Sequence, residues 1–373
     1  MAGRIAPKSS AWIRQKNSSS SPRSLRTFSR PEIIATHMKV LFDHSFPFAL
    51  AHGGFQIQIE QTKNALAANG LEVEWLRWWD DGQKGDVIHF FGRPAGAYLH
   101  HAHQKKIKVV VGELLTGLGS RSGAARAVQK TMMTLAQTIL PAGFTAKLAW
   151  DVYARADAAV ALTPWEAQLM RDMFHAPPER VHVVPNGVEP VFFQNAPVAR
   201  GPWLVCTAVI TERKRILELA RAAVVAQTPL WIIGRPYAEN DPYAQGFLQL
   251  AAAHPRLLRY EGPIQDRAKL AEAYRAARGF VLLSTMESLS LSALEAAACG
   301  CPLLLSELPW ARSVFAGHAD YCPSTADTAK TARCLRTFYD AAPGKPAPPR
   351  PLTWLEVGRQ LQGIYEGLCK TSR

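Results

Sequence analysis

Short apolar runs alternate with longer amphipathic stretches along most of the chain, beginning at Met38. Apolar runs of roughly four to eight residues, separated by helical patterns, are typical of parallel strands buried between helices. The first half of the chain therefore predicts a doubly wound α/β domain. Its predicted strands are Lys39–Phe42, Val73–Leu76, Val87–Phe91, Lys108–Val111, Ala158–Leu162 and His182–Val184.

The second half repeats this alternation after a break at residues 195–202, where Pro and Gly predict a linker. A chain of 373 residues exceeds what one core usually supports. We therefore expect two α/β domains that face each other across a cleft. The strands predicted for the second domain are Leu204–Val209, Leu230–Ile233, Leu257–Tyr260, Gly279–Leu283 and Pro302–Leu305.

The predicted organisation has four parts: a disordered basic tail (1–37), a first domain (38–196), a second domain (197–342), and a Pro-rich link with a final helix (343–373). The tail contains seven Lys or Arg against one acid and is rich in Ser, a composition typical of disorder. Two origins are open for it. It is either an organelle transit peptide or a segment that precedes a translation start at Met38.

Two helices have clear end signals in the sequence. The first is predicted from about Phe55 to Asn69 and stops at Gly70, a residue suited to a helix C-terminus. The last is predicted from Thr353, whose hydroxyl can cap it, to about Leu368. The apolar positions that predict the buried face of the first helix are Ile57, Ile59, Leu66 and Ala67.

Composition narrows the class of protein. No apolar run approaches the roughly 18 residues needed to cross a bilayer. Six scattered cysteines lack the spacing of zinc ligands and predict reduced thiols in a cytoplasmic protein. The net charge of +13 suits anionic ligands and leaves open a peripheral contact with an acidic membrane surface. Basic and aromatic residues do not interleave, so we expect no nucleic-acid partner.

The segment from Glu287 to Glu295 contains the strongest chemical signal. It follows the apolar run Gly279–Leu283, and a helix is expected to begin near Leu289 or Ser290. The unpaired N–H groups at a helix N-terminus favour a phosphate or diphosphate. Two carboxylates around such a site could bind sugar hydroxyls. The alternative is an ordinary amphipathic helix that carries a Glu in its first turns.

The segment resembles the Glu-x7-Glu signature of retaining glycosyltransferases of family 4, also called glycosyl transferases group 1. The match includes Glu287, Glu295, Ala296, Gly300 and Pro302. The resemblance implies a GT-B fold, with two Rossmann-like domains and a C-terminal helix that returns to the first domain. It also implies transfer of a hexose-type sugar, with retention of configuration, from a nucleotide diphosphate donor to an acceptor.

The resemblance assigns roles to particular residues. Glu287 would bind hydroxyls of the donor hexose, and Glu295 the ribose of the nucleotide. Lys214 would act in catalysis by neutralising the donor diphosphate, since the family has a basic residue before the helix that follows it. The other residues expected to bind the donor are Gly53, Gly54, Arg213, Arg215, Gly262, Ser288, Leu289, Ser290 and Leu291. We expect no metal and no cofactor, because no Asp-x-Asp arrangement lies in a suitable loop.

Three departures from the family pattern are visible. The family commonly has Gly at Ser290, and it usually has Gly-Arg where this chain has Ala208-Val209. Many members also have a His after the fourth strand, where this chain reads Gly112-Glu113. Arg213 or Arg215 could replace the missing Arg. His89 could face the cleft but fits a packed structural histidine better, and Glu113 could contact the sugar or the acceptor.

These departures leave the function with alternatives. The leading hypothesis is a transferase whose partners are a nucleotide sugar and an unknown acceptor, which is a glycan, a lipid or a small molecule. The acceptor would meet the first domain, including the helix and loop expected between Gly117 and Ala149. A nucleotide-sugar-binding protein with little transferase activity is the second hypothesis. The third hypothesis is a nucleotide-sugar epimerase, although epimerases of this fold lack the Glu-x7-Glu context.

Overall fold

A computed structural model of the protein describes residues 38–48, 53–140, 148–194 and 199–370. The tail predicted over residues 1–37 and part of the predicted linker (195–198) lie outside the described residues. Two parallel six-stranded sheets form the centre of the fold. The α/β class predicted from the hydrophobic pattern is therefore confirmed.

The first sheet has the strand order β2-β1-β3-β4-β5-β6. Its strands read as continuous apolar runs because helices cover both faces of a parallel sheet. All five residues of the Val87–Phe91 strand are buried. The strands are β1 Lys39–His44, β2 Glu72–Trp75, β3 Val87–Phe91, β4 Lys108–Gly112, β5 Ala158–Ala161 and β6 Val181–Val183.

The second sheet has the order β12-β11-β10-β7-β8-β9. Five of its strands were predicted within one or two residues at each end, and Asp320–Cys322 was missed. That strand has only three residues and a single fully buried side chain, so it carries no apolar run. The strands are β7 Leu204–Thr207, β8 Leu230–Ile233, β9 Leu258–Tyr260, β10 Gly279–Leu282, β11 Leu303–Ser306 and β12 Asp320–Cys322.

Helices connect the strands in both halves, with short 3₁₀ turns at Pro178–Arg180, Pro190–Phe193, Glu212–Lys214, Ala316–His318 and Ala342–Gly344. The described α-helices are α1 Gly54–Ala68, α2 Gly96–Gln104, α3 Thr116–Gly119, α4 Gly123–Ile139, α5 Val152–Arg155, α6 Pro164–Phe174, α7 Ile216–Val225, α8 Pro242–Ala253, α9 Arg267–Ala276, α10 Leu291–Ala298, α11 Pro309–Phe315, α12 Thr328–Ala341 and α13 Trp354–Lys370. None of them is long and apolar enough to cross a membrane.

Helix α1 ends where the sequence predicted. Gly70 has φ +91°, and the N–H of Leu71 donates to the carbonyl of Leu66 at 3.1 Å, which closes the last turn. Its predicted buried face was partly wrong, because Ile57 is 43% exposed and Ala67 is also exposed. The residues that α1 buries are Gln58, Ile59, Thr62, Ala65 and Leu66.

The C-terminal helix α13 packs on the first sheet's half of the molecule, as predicted for a GT-B fold. Thr353 Oγ1 accepts from the N–H of Glu356 at 3.2 Å, and the Glu356 carboxylate accepts from the N–H of Thr353 at 2.6 Å. This capping box fixes the start of the helix. Trp354 and Tyr365 then join the apolar cluster that surrounds β1. The helix thus ties the end of the chain to its first domain.

Gly187 shows why the turn after β6 needs glycine. A Cβ at this position would lie 2.5 Å from the backbone nitrogen of Trp354. Backbone atoms cannot yield at that distance, so only glycine lets the turn approach the start of α13. The turn is also linked to the same region by the N–H of Val188, which donates to the Leu352 carbonyl at 2.8 Å.

Candidate active site

A cavity of about 630 Å³ lies where the carboxyl ends of strands from both sheets meet. Ligands of open α/β folds bind at this edge, because the loops and helix N-termini gather there. From the first domain, Gly53, Gly54 and Thr116 line the cavity. From the second, the lining includes the loop after β10 and the start of α10. The cavity is large enough for a small-molecule ligand.

Helix α10 begins at Leu291, one or two residues later than predicted. Ser290 is its N-cap, and the Ser290 hydroxyl accepts from the N–H of Ala293 at 3.3 Å. Ser290 has φ −75°, an ordinary backbone conformation for an L-residue. Serine therefore replaces the family's glycine without backbone strain. The start of the helix, including Leu291 and Ser292, faces the cavity.

Glu287 is held by two cations from the loop before α7. Its Oε1 atom accepts from Lys214 Nζ, and Arg213 approaches the same oxygen at 3.1 Å. Arg213 also donates to the carbonyl of Met286 at 2.8 Å. The side chains of Glu287 and Lys214 are only 11% and 13% exposed. The structure thus brings together Glu287, Lys214 and Arg213, which lie far apart in the sequence.

Glu295 is almost completely buried, and it too holds a cation. Arg267 donates to Glu295 Oε1, and the Tyr274 hydroxyl lies 3.2 Å from Oε2. Burial raises the pKa of the Glu295 carboxyl, and the Arg267 guanidinium partly offsets this effect. Arg267 also pairs with Glu189. Sequence reasoning missed Arg267, although a cation in the first turn of a helix after a strand was a usable signal.

The Gly-Gly loop lies on the opposite wall of the cavity. Gly53 has φ +147°, and a Cβ on Gly54 would lie 3.7 Å from Leu291 Cδ1. Nearby, Thr116 Oγ1 and Ser288 Oγ are 2.6 Å apart and form a hydrogen bond between the two domains. The loop therefore faces the N-terminus of α10 across the cleft.

Two of the residues expected to bind the donor do not line the cavity. Arg215 is buried with φ +53°, and its guanidinium donates to the carbonyl of Thr325, in the loop between β12 and α12. Gly262 stands one position before Pro263, which does line the cavity. The carbonyl of Gly262 accepts from the N–H of Gly234 at 3.3 Å, so its observed contact is with the neighbouring β8 loop.

Arg235 lines the cavity and was missed by sequence reasoning. It follows Gly234, which has φ +158° at the end of β8. A Cβ on Gly234 would lie 1.9 Å from the carbonyl oxygen of Ala208, so the loops after β7 and β8 touch here. Arg235 thus lies next to Ala208-Val209, where the family usually has Gly-Arg. It forms no ion pair with any described residue.

His89 is a packed, neutral histidine. It is 1% exposed, and its Nδ1 lies 2.7 Å from the hydroxyl of Tyr365 on α13. Burial lowers its pKa to about 3. Its Nε2 faces a small cavity of about 20 Å³ and has no protein partner among the described residues. The structural interpretation of His89 fits these contacts better than a role in the cleft.

Glu113 lies at the end of β4, beside a second cavity of about 190 Å³. Its carboxylate accepts from Arg93 Nε at 2.8 Å and from the Tyr153 hydroxyl. Burial, and then the nearby Glu113 carboxylate, raise the pKa of Tyr153 well above its ordinary value. Helix α4 supplies Gln129 and Met133 to the same cavity. Leu114 lines both this cavity and the cavity that contains the two carboxylates of the second domain.

The two facing parallel sheets, the cleft between their strand ends and the returning C-terminal helix define the GT-B fold. Solved structures support this class. A glycosyltransferase from Rickettsia africae aligns with a TM-score of 0.61 at 11% identity, covering 90% of this chain and 99% of its own. Sucrose-phosphate synthase from Thermosynechococcus elongatus aligns with a TM-score of 0.60 at 18% identity, covering 90% and 97%.

Sequence comparison then gives the family. Residues 66–187 match the model described as "Glycosyl transferase 4-like domain", and residues 201–340 match "Glycosyl transferases group 1". Together the two matches cover more than half of the chain. The chain belongs to the group 1 glycosyltransferases of the family 4 type.

Curated relatives at moderate identity are bacterial. The D-inositol 3-phosphate glycosyltransferase of Acidothermus cellulolyticus is 30% identical over 42% of this chain and 40% of its own length. The corresponding protein of Thermobispora bispora is 35% identical over 40% of this chain and 39% of its own length. The aligned parts thus span less than half of each of these relatives.

Proposed function

We propose that the protein transfers a hexose from a nucleoside diphosphate sugar to a hydroxyl of an acceptor, with retention of the anomeric configuration. One observation carries this proposal. Lys214, Arg213 and Arg235 line a single cavity with the N-terminus of α10, and Glu287 and Glu295 lie in the same cavity. Cations and a helix N-terminus suit a diphosphate. The two carboxylates suit the hydroxyl groups of the sugars on either side of it.

Each residue then has a role in the reaction. Glu287 accepts hydrogen bonds from the donor hexose and orients it, and Glu295 accepts from the ribose. Lys214, Arg213 and the N–H groups at the start of α10 stabilise the negative charge that develops on the leaving diphosphate. Such stabilisation is strongest where water is excluded, and the Gly53-Gly54 loop closes the opposite side of the cleft.

A solved neighbour indicates one donor base to test first. Anabaena HepE, determined in complex with UDP and glucose, aligns with a TM-score of 0.57 at 15% identity, covering 90% of this chain and 99% of its own. Identity at this level concerns the fold alone, so the base and the sugar require experiment. The names of the curated relatives make inositol phosphate a reasonable first acceptor to test.

The test is product analysis with uridine, guanosine and adenosine diphosphate hexoses and a set of hydroxyl acceptors that includes inositol phosphate. We expect one donor base to be used and the new glycosidic bond to keep the donor's anomeric configuration, as read by NMR coupling constants. An inverted product would contradict retention. Saturable donor binding without any transfer would instead support the nucleotide-sugar-binding protein, and an isomerised free donor would indicate an epimerase.

A further inference from the structure

Thr116 of the first domain and Ser288 of the second are joined across the cleft. Their hydroxyl oxygens lie 2.6 Å apart, a distance typical of a hydrogen bond between two hydroxyl groups. Ser288 is 6% exposed, and Thr116 is half-buried at the start of α3. Both residues line the cavity of the candidate active site. The link therefore lies where the two domains approach each other around that cavity.

Glu166 fixes the first-domain side of this link. It is 1% exposed on α6, and its carboxylate accepts from the N–H of Leu115 and from the N–H of Leu162, each at 3.0 Å. Burial raises the pKa of the Glu166 carboxyl, whereas the Ser288 hydroxyl and these two N–H groups oppose the rise. Because Leu115 directly precedes Thr116, the buried carboxylate holds the backbone that carries the Thr116 hydroxyl.

The second-domain side of the link belongs to the loop that carries Glu287. Arg213 holds the start of this loop, since its carbonyl accepts from the N–H of Thr285 at 2.9 Å and its guanidinium donates to the carbonyl of Met286 at 2.8 Å. Ser288 is the residue directly after Glu287. Glu287 is thus flanked on one side by a segment tied to its own domain and on the other by a residue tied to the opposite domain.

We propose that Thr116 and Glu166 position Glu287. They act through Ser288, and neither of them needs to touch the substrate in this role. A carboxylate orients a ligand only if its own backbone is held in one conformation, and a displacement of about 1 Å can cost about 10²-fold in rate. The hydrogen bond across the cleft supplies this restraint at the residue next to Glu287.

The restraint on the loop and its effect on catalysis are separate consequences. A loop that loses a hydrogen bond opens more often, so its backbone N–H groups exchange faster with solvent, whether or not a donor is bound. A loss in kcat/KM follows only if the cavity carries out the sugar transfer proposed above. The first consequence therefore tests the link without the reaction, whereas the second rests on the proposed function.

Hydrogen–deuterium exchange of the full chain without ligand tests the restraint. Thr116→Val removes the hydroxyl but keeps a branched side chain, and exchange over residues 285–290 should become at least about threefold faster. Thr116→Ser keeps a hydroxyl and should restore wild-type exchange. The matched control is Thr331→Val, because Thr331 is 2% exposed and donates to the carbonyl of Asp327, the N-cap of its own helix α12. The control should leave exchange over residues 285–290 within about twofold of wild type.

The link also predicts a reciprocal effect across the cleft. Ser288→Ala should speed exchange over residues 115–119 of the first domain, although the substituted residue belongs to the second. Equal exchange over residues 285–290 in wild type and Thr116→Val would overturn the proposal. So would wild-type exchange over residues 115–119 in Ser288→Ala, because the two loops would then not be joined.

Glu166→Gln extends the exchange experiment to the buried carboxylate. The substitution replaces one acceptor oxygen with a donor, so one of the two backbone N–H groups loses its acceptor. Exchange should rise at least about threefold on both sides of the cleft, over residues 115–119 and over residues 285–290. A rise over residues 115–119 alone would contradict the positioning role of Glu166 and show that it stabilises only the first domain.

A double-mutant cycle in kcat/KM is the second arm, with sugar transfer as the readout. Thr116→Val should lower kcat/KM about three- to tenfold in wild type but less than about twofold in the Ser288→Ala background. Thr116→Ser should recover most of this loss. An undiminished effect in the Ser288→Ala background would show that Thr116 contacts the substrate directly, which would overturn the positioning role. If wild type transfers no sugar, the proposed function fails, and the exchange experiment still decides whether the link exists.

Discussion

Arg267 donates to Glu295 inside the cleft, so the second carboxylate of the Glu-x7-Glu segment is paired with a cation from the helix after β9. Glu295 is 8% exposed as a residue, and among the described residues its carboxylate has one further hydrogen-bond partner, the Tyr274 hydroxyl at 3.2 Å. A buried carboxylate that loses its partner keeps its desolvation penalty. The pair therefore makes a testable contribution to stability.

Arg267→Gln should lower the free energy of unfolding by about 1–3 kcal/mol, because Glu295 would stay buried without its cation. The matched control is Arg336→Gln, which breaks an exposed pair with Asp340 on α12 and should cost about 0.5 kcal/mol or less. Urea unfolding at pH 7.5 measures both. The Arg267→Gln deficit should shrink on acidification, since protonation of Glu295 removes the unpaired charge. Equal effects of the two variants would contradict this account.

Lys214→Ala should reduce kcat by about 10²–10³-fold, because the developing charge on the leaving diphosphate would lose its nearest cation. Steady-state kinetics with the preferred donor provide the measurement. Lys269→Ala is the control, since Lys269 is exposed on α9 and does not line the cavity. A variant with normal kcat and only a raised KM would show that Lys214 binds the donor equally in the ground state and the transition state.

Two glycines of α13 should respond oppositely to alanine. A Cβ on Gly358 would lie 2.6 Å from Asn69 Nδ2 and 3.0 Å from the Ala65 carbonyl oxygen, whereas a Cβ on Gly363 would meet nothing within 4 Å. Gly358→Ala should therefore destabilise the protein by about 1–3 kcal/mol through overpacking. Gly363→Ala should stabilise it by about 0.5–1 kcal/mol through helix propensity. Melting temperatures give the sign of each change.

His89 predicts a pH dependence of stability. Burial lowers its pKa from 6.5 to about 3, so below pH 6.5 the unfolded chain binds a proton that the folded protein does not. The contribution of His89 to the free energy of unfolding is thus constant above pH 6.5. It falls by up to about 1.4 kcal/mol per pH unit below that, or about 2 kcal/mol between pH 6.5 and 5.

His89→Gln removes this titration. The free energy of unfolding of the variant should be lower than that of wild type at pH 7.5. Its further decrease between pH 6.5 and 5 should be smaller than in wild type, because the titration of His89 is absent. Urea midpoints at pH 7.5, 6.5 and 5 for both proteins provide the comparison. Parallel curves for the variant and wild type would mean that His89 has the same pKa in the folded and unfolded states.

The strands were largely predictable because a strand buried on both faces of a parallel sheet consists of consecutive apolar residues. Val87–Phe91 is an example of such a run. The strand Asp320–Cys322 was missed because a short edge strand needs no such run. The cap at Thr353 was readable from local sequence too, whereas the reciprocal contact of Glu356 was not predicted. The exposed Ile57 was misplaced because it lines the cleft cavity, and an apolar residue on the wall of a cleft cannot be told from a core residue by its helical spacing alone.

The site was predictable only in part. The acidic pair and Lys214 were readable because they resemble a known pattern. The ion pair between Lys214 and Glu287 joins residues 73 positions apart, a relation that no local pattern records. Of three adjacent cations, Arg215 is directed away by its left-handed backbone and its contact with Thr325. Arg235, in the loop after β8, and Arg267, at the start of α9, line the cleft from segments that carried no recognised motif.

The central claim is that the cleft binds a nucleoside diphosphate sugar between Lys214 and the two glutamates. Calorimetric titration with uridine, guanosine and adenosine diphosphate sugars tests it directly, using wild type and Glu295→Gln. We predict saturable binding of one base series, weakened about tenfold or more in Glu295→Gln because the ribose loses a charged acceptor. Equal affinity in both proteins, or no binding of any of these donors to wild type, would contradict the account.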